Sequence, residues 1–194
     1  EITDPSNYRS LKHLDLWLKK NQIVGITGID TRNLTSFIRD KGAPKGTISF
    51  SRKGSFNFKK ILKKTKKWSG LKNLDLAKKV TTKKNYVWKD YKTWKKGIGF
   101  EKNNNKSLHV VAIDYGIKKN ILRYFSNFNC EVIVVPCRLE AEDIIKLKPD
   151  GIFLSNGPGD PAATGKYAID IIQKLIKTNI PIFGICLGHQ LLAL

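Results

Sequence analysis

Apolar residues in the second half of the chain fall in short runs, and the segments between them have the three-to-four-residue spacing of amphipathic helices. The runs are rich in Val and Ile and are apolar nearly throughout, which is typical of strands buried on both faces of a sheet. Strands are therefore predicted in SLHVVAID, CEVIVVP, DGIFLSN and IPIFGI. Helices are predicted in YGIKKNILRYFSNF, LEAEDIIKLK, residues 165–178 and LGHQLLAL.

Strands that alternate with helices predict an α/β fold with a doubly wound, parallel sheet. Such sheets bind their ligands at the carboxyl ends of the strands. Three of the predicted strand ends carry polar or glycine-rich sequence, namely Asp114, residues 155–160 (SNGPGD) and Cys186. We therefore expect these residues to lie at one edge of the sheet.

The first half of the chain is less regular. One helix is predicted over residues 10–20 and another over 31–41, where Asp30 or Thr31 caps the helix and Gly42 ends it. The remaining predictions are strands in QIVGITG and GTISFS, basic helices in FKKILKKTKKW and LDLAKKV, and an edge strand in NYVWKDYKTW.

A polar, glycine-containing stretch, KKGIGFEKNNNKS, has the composition of a linker between domains. We therefore predict a smaller α/β domain over residues 1–95, a linker over 96–106 and the parallel-sheet domain over 107–194.

Positive charge is concentrated in the first half of the chain. Residues 1–106 hold 27 Lys and Arg against 8 Asp and Glu, whereas residues 107–194 hold 9 against 8. This pattern indicates either a surface for nucleic acid or another acidic partner, or a solvated surface of biased composition. Most of the basic residues are lysines, although proteins that read nucleic acids favour arginine, and no nucleic-acid motif accompanies the charge. The solvated surface is the favoured interpretation, and no nucleic-acid partner is predicted.

The remaining bulk features indicate a cytoplasmic protein. No apolar run approaches the length of a membrane span, about 18 residues, and no signal peptide is recognisable. Three cysteines at irregular positions fit neither a disulfide framework nor a zinc site, so reduced thiols and no metal are predicted. Because the chain lacks methionine, begins in polar sequence and ends in an apolar run, we expect it to be an internal piece of a longer polypeptide.

Cys186 is the candidate nucleophile. It lies between Gly184 and Gly188, at the point where a predicted strand passes into a predicted helix. Serine hydrolases place their nucleophile at the same G-x-S-x-G spacing, because the sharp turn requires small residues two positions away on either side. A helix start also favours the thiolate form of a cysteine. A packed cysteine between close-packing glycines is the alternative that this pentapeptide alone leaves open.

The loop SNGPGDP favours the nucleophile. Gly-Pro-Gly after a strand gives a rigid turn whose backbone amides can hold a carboxylate or an oxyanion, although an ordinary turn has the same composition. Its strand precedes the cysteine strand, so both loops are expected at one edge. Cys130, at a strand start, and Cys137, without small neighbours, are assigned to packing.

No histidine is well placed to act as the base that a cysteine nucleophile needs. His13 lies in a predicted basic helix, and His109 lies inside a predicted strand. His189 follows Cys186 by three residues, on the helix that leads away from the turn, where packing is the expected role.

GIFLSNGPGDP together with IPIFGICLGHQLLAL resembles the class I (triad) glutamine amidotransferases, whose cysteine elbow has the form G-x-C-x-G-x-Q. Three further segments resemble the small, glutamine-hydrolysing chains of carbamoyl-phosphate synthases: GIDTRNLTSFIRDKGAPKGTIS, LDLAKKVTT and VVAIDYGIKKNILR. The resemblance extends over nearly the whole chain and implies a flavodoxin-like glutaminase domain, truncated here, after an incomplete smaller domain.

The resemblance also implies roles for individual residues. Cys186 would attack the side-chain amide of L-glutamine and form a thioester, while backbone amides of Leu187 and Gly157 would bind the oxyanion. Gly159 and Gln190 would contact the glutamine. The catalytic His and Glu of the family would lie beyond the end of this chain, so the chain by itself should not turn over glutamine.

The implied partner is the large chain of carbamoyl-phosphate synthase. This partner would combine the released ammonia with bicarbonate and ATP to make carbamoyl phosphate for arginine and pyrimidine synthesis. ATP and Mg would bind the large chain, and no cofactor is predicted for this one, in which no P-loop or other nucleotide fingerprint occurs.

Three alternatives stay open at the level of sequence. The chain could be the glutaminase of another biosynthetic enzyme, although residues 1–95 resemble no part of those. It could be a basic nucleic-acid-binding protein with an incidental cysteine. It could also be an interaction protein that keeps the fold without catalysis.

Overall fold

The structure, a computed structural model, describes residues 2–8, 10–102 and 107–194, with the backbone alone at 91–93 and 101–102. The chain divides into two compact units, Glu1–Gly70 and Leu71–Leu194. This division falls earlier than the predicted linker at 96–106, of which residues 103–106 lie outside the described part. Residues 71–95 belong to the second unit because residues 86–87 pair with its five-stranded sheet and residues 90–95 contact one of its helices.

The first unit contains three helices in its described residues: α1 Leu14–Lys20, α2 Thr31–Lys41 and α3 Phe58–Lys67. Helix α2 matches the predicted bounds. Its cap is Asp30, whose side chain accepts a hydrogen bond from the N–H of Asn33 at 2.9 Å. Gly42, with φ of 80°, follows the last residue, as a left-handed residue after a helix commonly does.

The two strands predicted in the first unit, QIVGITG and GTISFS, are wrong. Both segments are irregular in the structure, and their large apolar residues Val24 and Phe50 are 53% and 75% exposed. A strand needs a hydrogen-bonded neighbour to be stable. No strand is found among the described residues of 1–70, so β-branched composition alone does not produce one.

The second unit is built on a five-stranded sheet in the order β1-β5-β4-β6-β7. Strands β4 to β7 are parallel, and β1 is an antiparallel edge. The predicted parallel sheet is therefore confirmed. The strands are β1 Tyr86–Val87, β2 Asp90–Lys95, β3 Gly99–Lys102, β4 Leu108–Asp114, β5 Cys130–Pro136, β6 Gly151–Leu154 and β7 Ile182–Gly184.

Helices cover both faces of this sheet. They are α4 Ala77–Val80, α5 Lys119–Asn127, α6 Ala141–Lys146, α7 Pro161–Ile176 and α8 Leu187–Ala193. Along β4, Val111 and Ile113 pack with α6, α7 and α8, whereas Val110 and Ala112 pack with α5. This alternation follows from the two-residue period of a strand, and it gives the doubly wound arrangement that the sequence predicted.

Two differences concern element lengths. Helix α7 begins at Pro161 and not near 165, because the side chain of Asp160 caps it by accepting from the N–H of Ala162. The predicted linker stretch contains β3, which forms a hairpin with β2.

No helix among the described residues is both long and apolar enough to cross a membrane.

Candidate active site

The carboxyl ends of β4, β6 and β7 lie side by side. Ile113 pairs with Leu154, and Leu154 pairs in turn with Gly184. Asp114, the loop 155–160 and Cys186 follow these positions directly, so the prediction that they share one edge of the sheet is confirmed.

Cys186 lies on a sharp turn between β7 and α8. Its backbone has φ of 53° and ψ of −113°, a conformation that residues with a side chain rarely adopt, and its side chain is exposed. Strained backbone of this kind is concentrated at functional sites.

The two glycines of the turn are required by backbone contacts. A Cβ atom at Gly184 would lie 2.7 Å from the carbonyl carbon of Gly188, and a Cβ atom at Gly188 would overlap the carbonyl group of Leu154. The expectation that the residues two positions before and after Cys186 must be small is therefore confirmed.

Backbone hydrogen bonds fix the turn against the end of β6. The N–H of Ile185 donates to the carbonyl oxygen of Leu154 at 3.1 Å, and the N–H of Gly188 donates to that of Ser155 at 3.0 Å. Gln190 lies one turn into α8, and its N–H donates to the carbonyl oxygen of Cys186 at 2.9 Å. The start of α8 is thus held beside the loop that follows β6.

The loop after β6 brings Gly157 and Gly159 to the same edge. A Cβ atom at Gly157 would overlap the carbonyl group of Tyr115, which lies directly after β4. Gly159 has φ of 110°, and a Cβ atom there would lie 2.8 Å from the carbonyl oxygen of Leu74. Both positions need glycine because another backbone passes close by.

Several backbone amides at this edge carry no hydrogen bond in the described part of the chain. They include those of Gly157, Gly159, Cys186 and Leu187, the first residue of α8. The first N–H groups of a helix have no partner within the helix. Such groups can donate to negative charge that develops on an oxygen.

The histidines do not complete the site. His13 accepts from the N–H of Asp15 at 3.2 Å, and His109, near the amino end of β4, lies 3.7 Å from Glu131. His189 is exposed on α8. Within the described residues no hydrogen bond joins a histidine to Cys186, and no cluster of three His, Cys, Asp or Glu residues could hold a metal ion.

The other cysteines are buried, in keeping with packing roles. Burial raises the pKa of the Cys130 thiol. The Cys137 thiol accepts a hydrogen bond from the hydroxyl of Tyr167 at 3.5 Å.

Reasoning from the sequence missed the bonds that join the loops at this edge. The N–H of Tyr115 donates to Ser155 Oγ at 2.9 Å, and Asn156 accepts from the N–H of Lys118 at 3.0 Å. The carboxylate of Asp114 accepts from the N–H groups of Gly116 and Ile117 within its own loop. The only sequence signal for them is the position of these polar residues at strand ends.

Comparison with known proteins gives two family matches and many close relatives. The sequence matches the family "Glutamine amidotransferase class-I" over residues 111–194. It matches "Carbamoyl-phosphate synthase small chain, CPSase domain" over residues 1–48.

Proteins named carbamoyl phosphate synthase small chain match the chain over its whole length. Identity is 54% with that of Rhizobium meliloti (strain 1021) and 52% with that of Agrobacterium fabrum, and 49% of each relative is covered. The Bradyrhizobium diazoefficiens protein is 52% identical, with 48% covered. The chain spans about half the length of the curated relatives it matches.

Proposed function

Because the chain belongs to the family of carbamoyl-phosphate synthase small chains, we propose that it supplies the glutaminase nucleophile of such an enzyme. One observation carries this proposal: Cys186 is held exposed on a strained turn, beside the loop 155–160 (the glycine loop), in which the N–H of Gly157 carries no hydrogen bond in the described part of the chain.

The proposed chemistry begins with attack of the Cys186 sulfur on the side-chain amide carbon of L-glutamine. Negative charge develops on the amide oxygen, where the N–H groups of Leu187 and Gly157 stabilise it. The C–N bond then breaks, the amide nitrogen leaves as ammonia with the proton that the Cys186 thiol gave up, and a glutamyl thioester remains. Water hydrolyses the thioester, which releases glutamate and restores the thiol. Gly159 and Gln190 contact the glutamine.

The ammonia passes to a large synthetase chain, which uses bicarbonate and ATP with Mg to make carbamoyl phosphate. This product serves arginine and pyrimidine synthesis. The names of the relatives support the partner and the product. This chain needs no cofactor in the proposed reaction. The reaction requires a reduced thiol. Because cysteines stay reduced in the cytoplasm, we place the protein there.

The 194 residues by themselves do not turn over glutamine in this proposal. Cys186 has no hydrogen bond to a histidine in the described part, and without a base the thioester is neither formed nor hydrolysed efficiently. The family's His and Glu would come from sequence outside these residues. Steady release of ammonia by the isolated 194-residue chain, at the rate of the full-length protein, would contradict this.

The function is tested with Cys186→Ser in the full-length protein, bound to its synthetase partner. We expect glutamine-dependent synthesis of carbamoyl phosphate to fall by at least about 10³-fold, because the nucleophile is lost. Synthesis from added ammonia should be unchanged, which controls for folding and assembly. Glutamine-dependent synthesis that survives the substitution would overturn the proposal.

A further inference from the structure

Residues 71–82, named here the edge segment, lie on the carboxyl edge of the sheet and take no part in the chemistry proposed above. They include the sequence LDLAKKVTT. Hydrogen bonds join the edge segment to the last residue of β4 and to the loops after β5 and β6. The loop after β6 contains Gly157 and Gly159, so the edge segment lies directly beside the candidate site.

Asp160 makes two hydrogen bonds with the edge segment. One carboxylate oxygen, Oδ2, accepts from the N–H of Asn73 at 2.7 Å, and the other, Oδ1, accepts from the N–H of Ala162 at 3.0 Å. The N–H of Asp160 donates to the carbonyl oxygen of Leu74 at 3.0 Å. Asp160 thus joins the edge segment to the start of α7, one residue after Gly159.

The edge segment also touches the glycine loop directly. A Cβ atom at Gly159 would lie 2.8 Å from the carbonyl oxygen of Leu74 and 2.9 Å from the nitrogen of Leu76. The two backbones are therefore in van der Waals contact, and the edge segment forms one wall of the loop.

Further contacts hold the edge segment itself in place. Asp75 Oδ1 accepts from the N–H of Lys78 at 3.2 Å and from the hydroxyl of Thr164, on α7, at 3.3 Å. The N–H of Thr82 donates to Asp114 Oδ2 at 2.7 Å. The side chain of Ala77 is fully buried in the core.

Support from outside the loop matters because two of the three residues 157–159 are glycines. Gly157 and Gly159 have no side chains to pack, and glycine loses more conformational freedom on folding than any other residue. An oxyanion donor works only when its N–H is aimed in advance. Fixed contacts from outside the loop are the physical means of aiming it.

We propose that the edge segment positions the Gly157–Gly159 loop for glutamine, with Asp160 as the positioning residue. This inference rests on the proposed function. Asp160 touches neither the nucleophile nor the substrate; it acts through the backbone of Gly159 and the residues Leu74–Leu76.

The two aspartates offer a matched test, because they use their oxygens differently. Asp160 uses both oxygens, so the carboxamide in Asp160→Asn cannot accept from both Asn73 and Ala162. Asp75 uses Oδ1 for both of its bonds, so Asp75→Asn keeps them, whereas Asp75→Ala loses them. Asp170→Asn, at an exposed position on α7, controls for the loss of one negative charge.

The variants are made in the full-length protein with its synthetase partner, and KM and kcat are measured at a temperature where all are folded. We expect Asp160→Asn and Asp75→Ala to raise KM for glutamine about fivefold or more, because a displaced loop binds substrate poorly. Asp75→Asn and Asp170→Asn should match the wild type. Synthesis from ammonia should be unchanged in every variant.

A second readout uses covalent labelling of Cys186. A glutamine-like chloroketone, which must bind the glutamine site, should react more slowly with Asp160→Asn and Asp75→Ala, whereas iodoacetamide should react at the wild-type rate. A purely structural role would lower the thermal midpoint and leave KM and chloroketone labelling unchanged, and this result would overturn the inference. If KM and chloroketone labelling change in Asp160→Asn but not in Asp75→Ala, the change comes from the cap of α7. This result would also overturn the inference.

Failure of this inference differs from failure of the proposed function. If the function is wrong, Cys186→Ser keeps glutamine-dependent synthesis. If only the inference is wrong, Cys186→Ser loses that synthesis while Asp160→Asn keeps the wild-type KM.

Discussion

Polar side chains at the carboxyl ends of β4 and β6, namely those of Asp114, Ser155 and Asn156, are hydrogen bonded. Asp114, only 5% exposed, accepts three backbone N–H groups through its two oxygens. The hydroxyl of Tyr115 differs, since it is buried without a hydrogen-bond partner in the described part of the chain. Burial raises the pKa of Tyr115 well above its usual range, so this hydroxyl stays neutral.

Tyr115→Phe should therefore leave the protein as stable or stabilise it by up to about 1 kcal/mol, because it removes an unsatisfied polar group and keeps the ring. Tyr167→Phe is the matched control. It removes a hydroxyl that bonds to Cys137, so it should be neutral or destabilise slightly. The free energy of unfolding from urea denaturation compares the two. A loss above about 1 kcal/mol in Tyr115→Phe alone would contradict this account.

Asp160 gives a prediction for pH dependence. Hydrogen bonds from the N–H groups of Asn73 and Ala162 hold the pKa of this carboxyl below its usual range. A lowered pKa in the folded state stabilises the protein above the pKa of the unfolded state, about pH 4, and this stabilisation is lost as the pH falls through the folded value. The stability advantage of wild type over Asp160→Asn should hence be constant above about pH 5 and shrink in acid. An advantage that grows as the pH falls would contradict this.

The parallel sheet was predictable because the strands of residues 107–194 are short apolar runs, and the helices between them have apolar residues every three to four positions. The cysteine turn was predictable because its glycines lie only two residues from Cys186 in the sequence. The edge segment was not, because its bonds join backbone N–H groups to carboxylates far away in the chain: Asn73 and Asp160 are 87 positions apart. No local period signals such a contact.

Alanine substitutions at Gly188, where β6, β7 and α8 meet, and at Gly165, inside α7, should differ in their effect on stability. Gly188→Ala should destabilise the protein by roughly 3 kcal/mol, since the new Cβ meets backbone of Leu154 that cannot move aside. Gly165→Ala, inside α7, meets only the end of the Ile169 side chain at 3.0 Å and gains helix propensity, so we expect a change within about 1 kcal/mol. Chemical denaturation checks both. Equal losses of unfolding free energy in the two variants would show that Gly188 is under no greater steric restriction than Gly165.

At the scale of the whole molecule, the two units differ in how they are built. Residues 71–194 contain both core clusters, whereas no residue of α1, α2 or α3 is buried. The nucleophile, the glycine loop and the edge segment all belong to the unit with the core. The rigid surroundings that catalysis needs are thus present where the chemistry is proposed.

If Cys186 attacks glutamine, a reactive analogue of glutamine should trap it covalently. The full-length protein is treated with a glutamine-like chloroketone and digested, and the labelled peptide is identified by mass spectrometry. We predict a single label on Cys186 that excess glutamine prevents, and none on Cys130 or Cys137, which are buried. Labelling that glutamine does not prevent, or that persists in Cys186→Ser, would contradict the account.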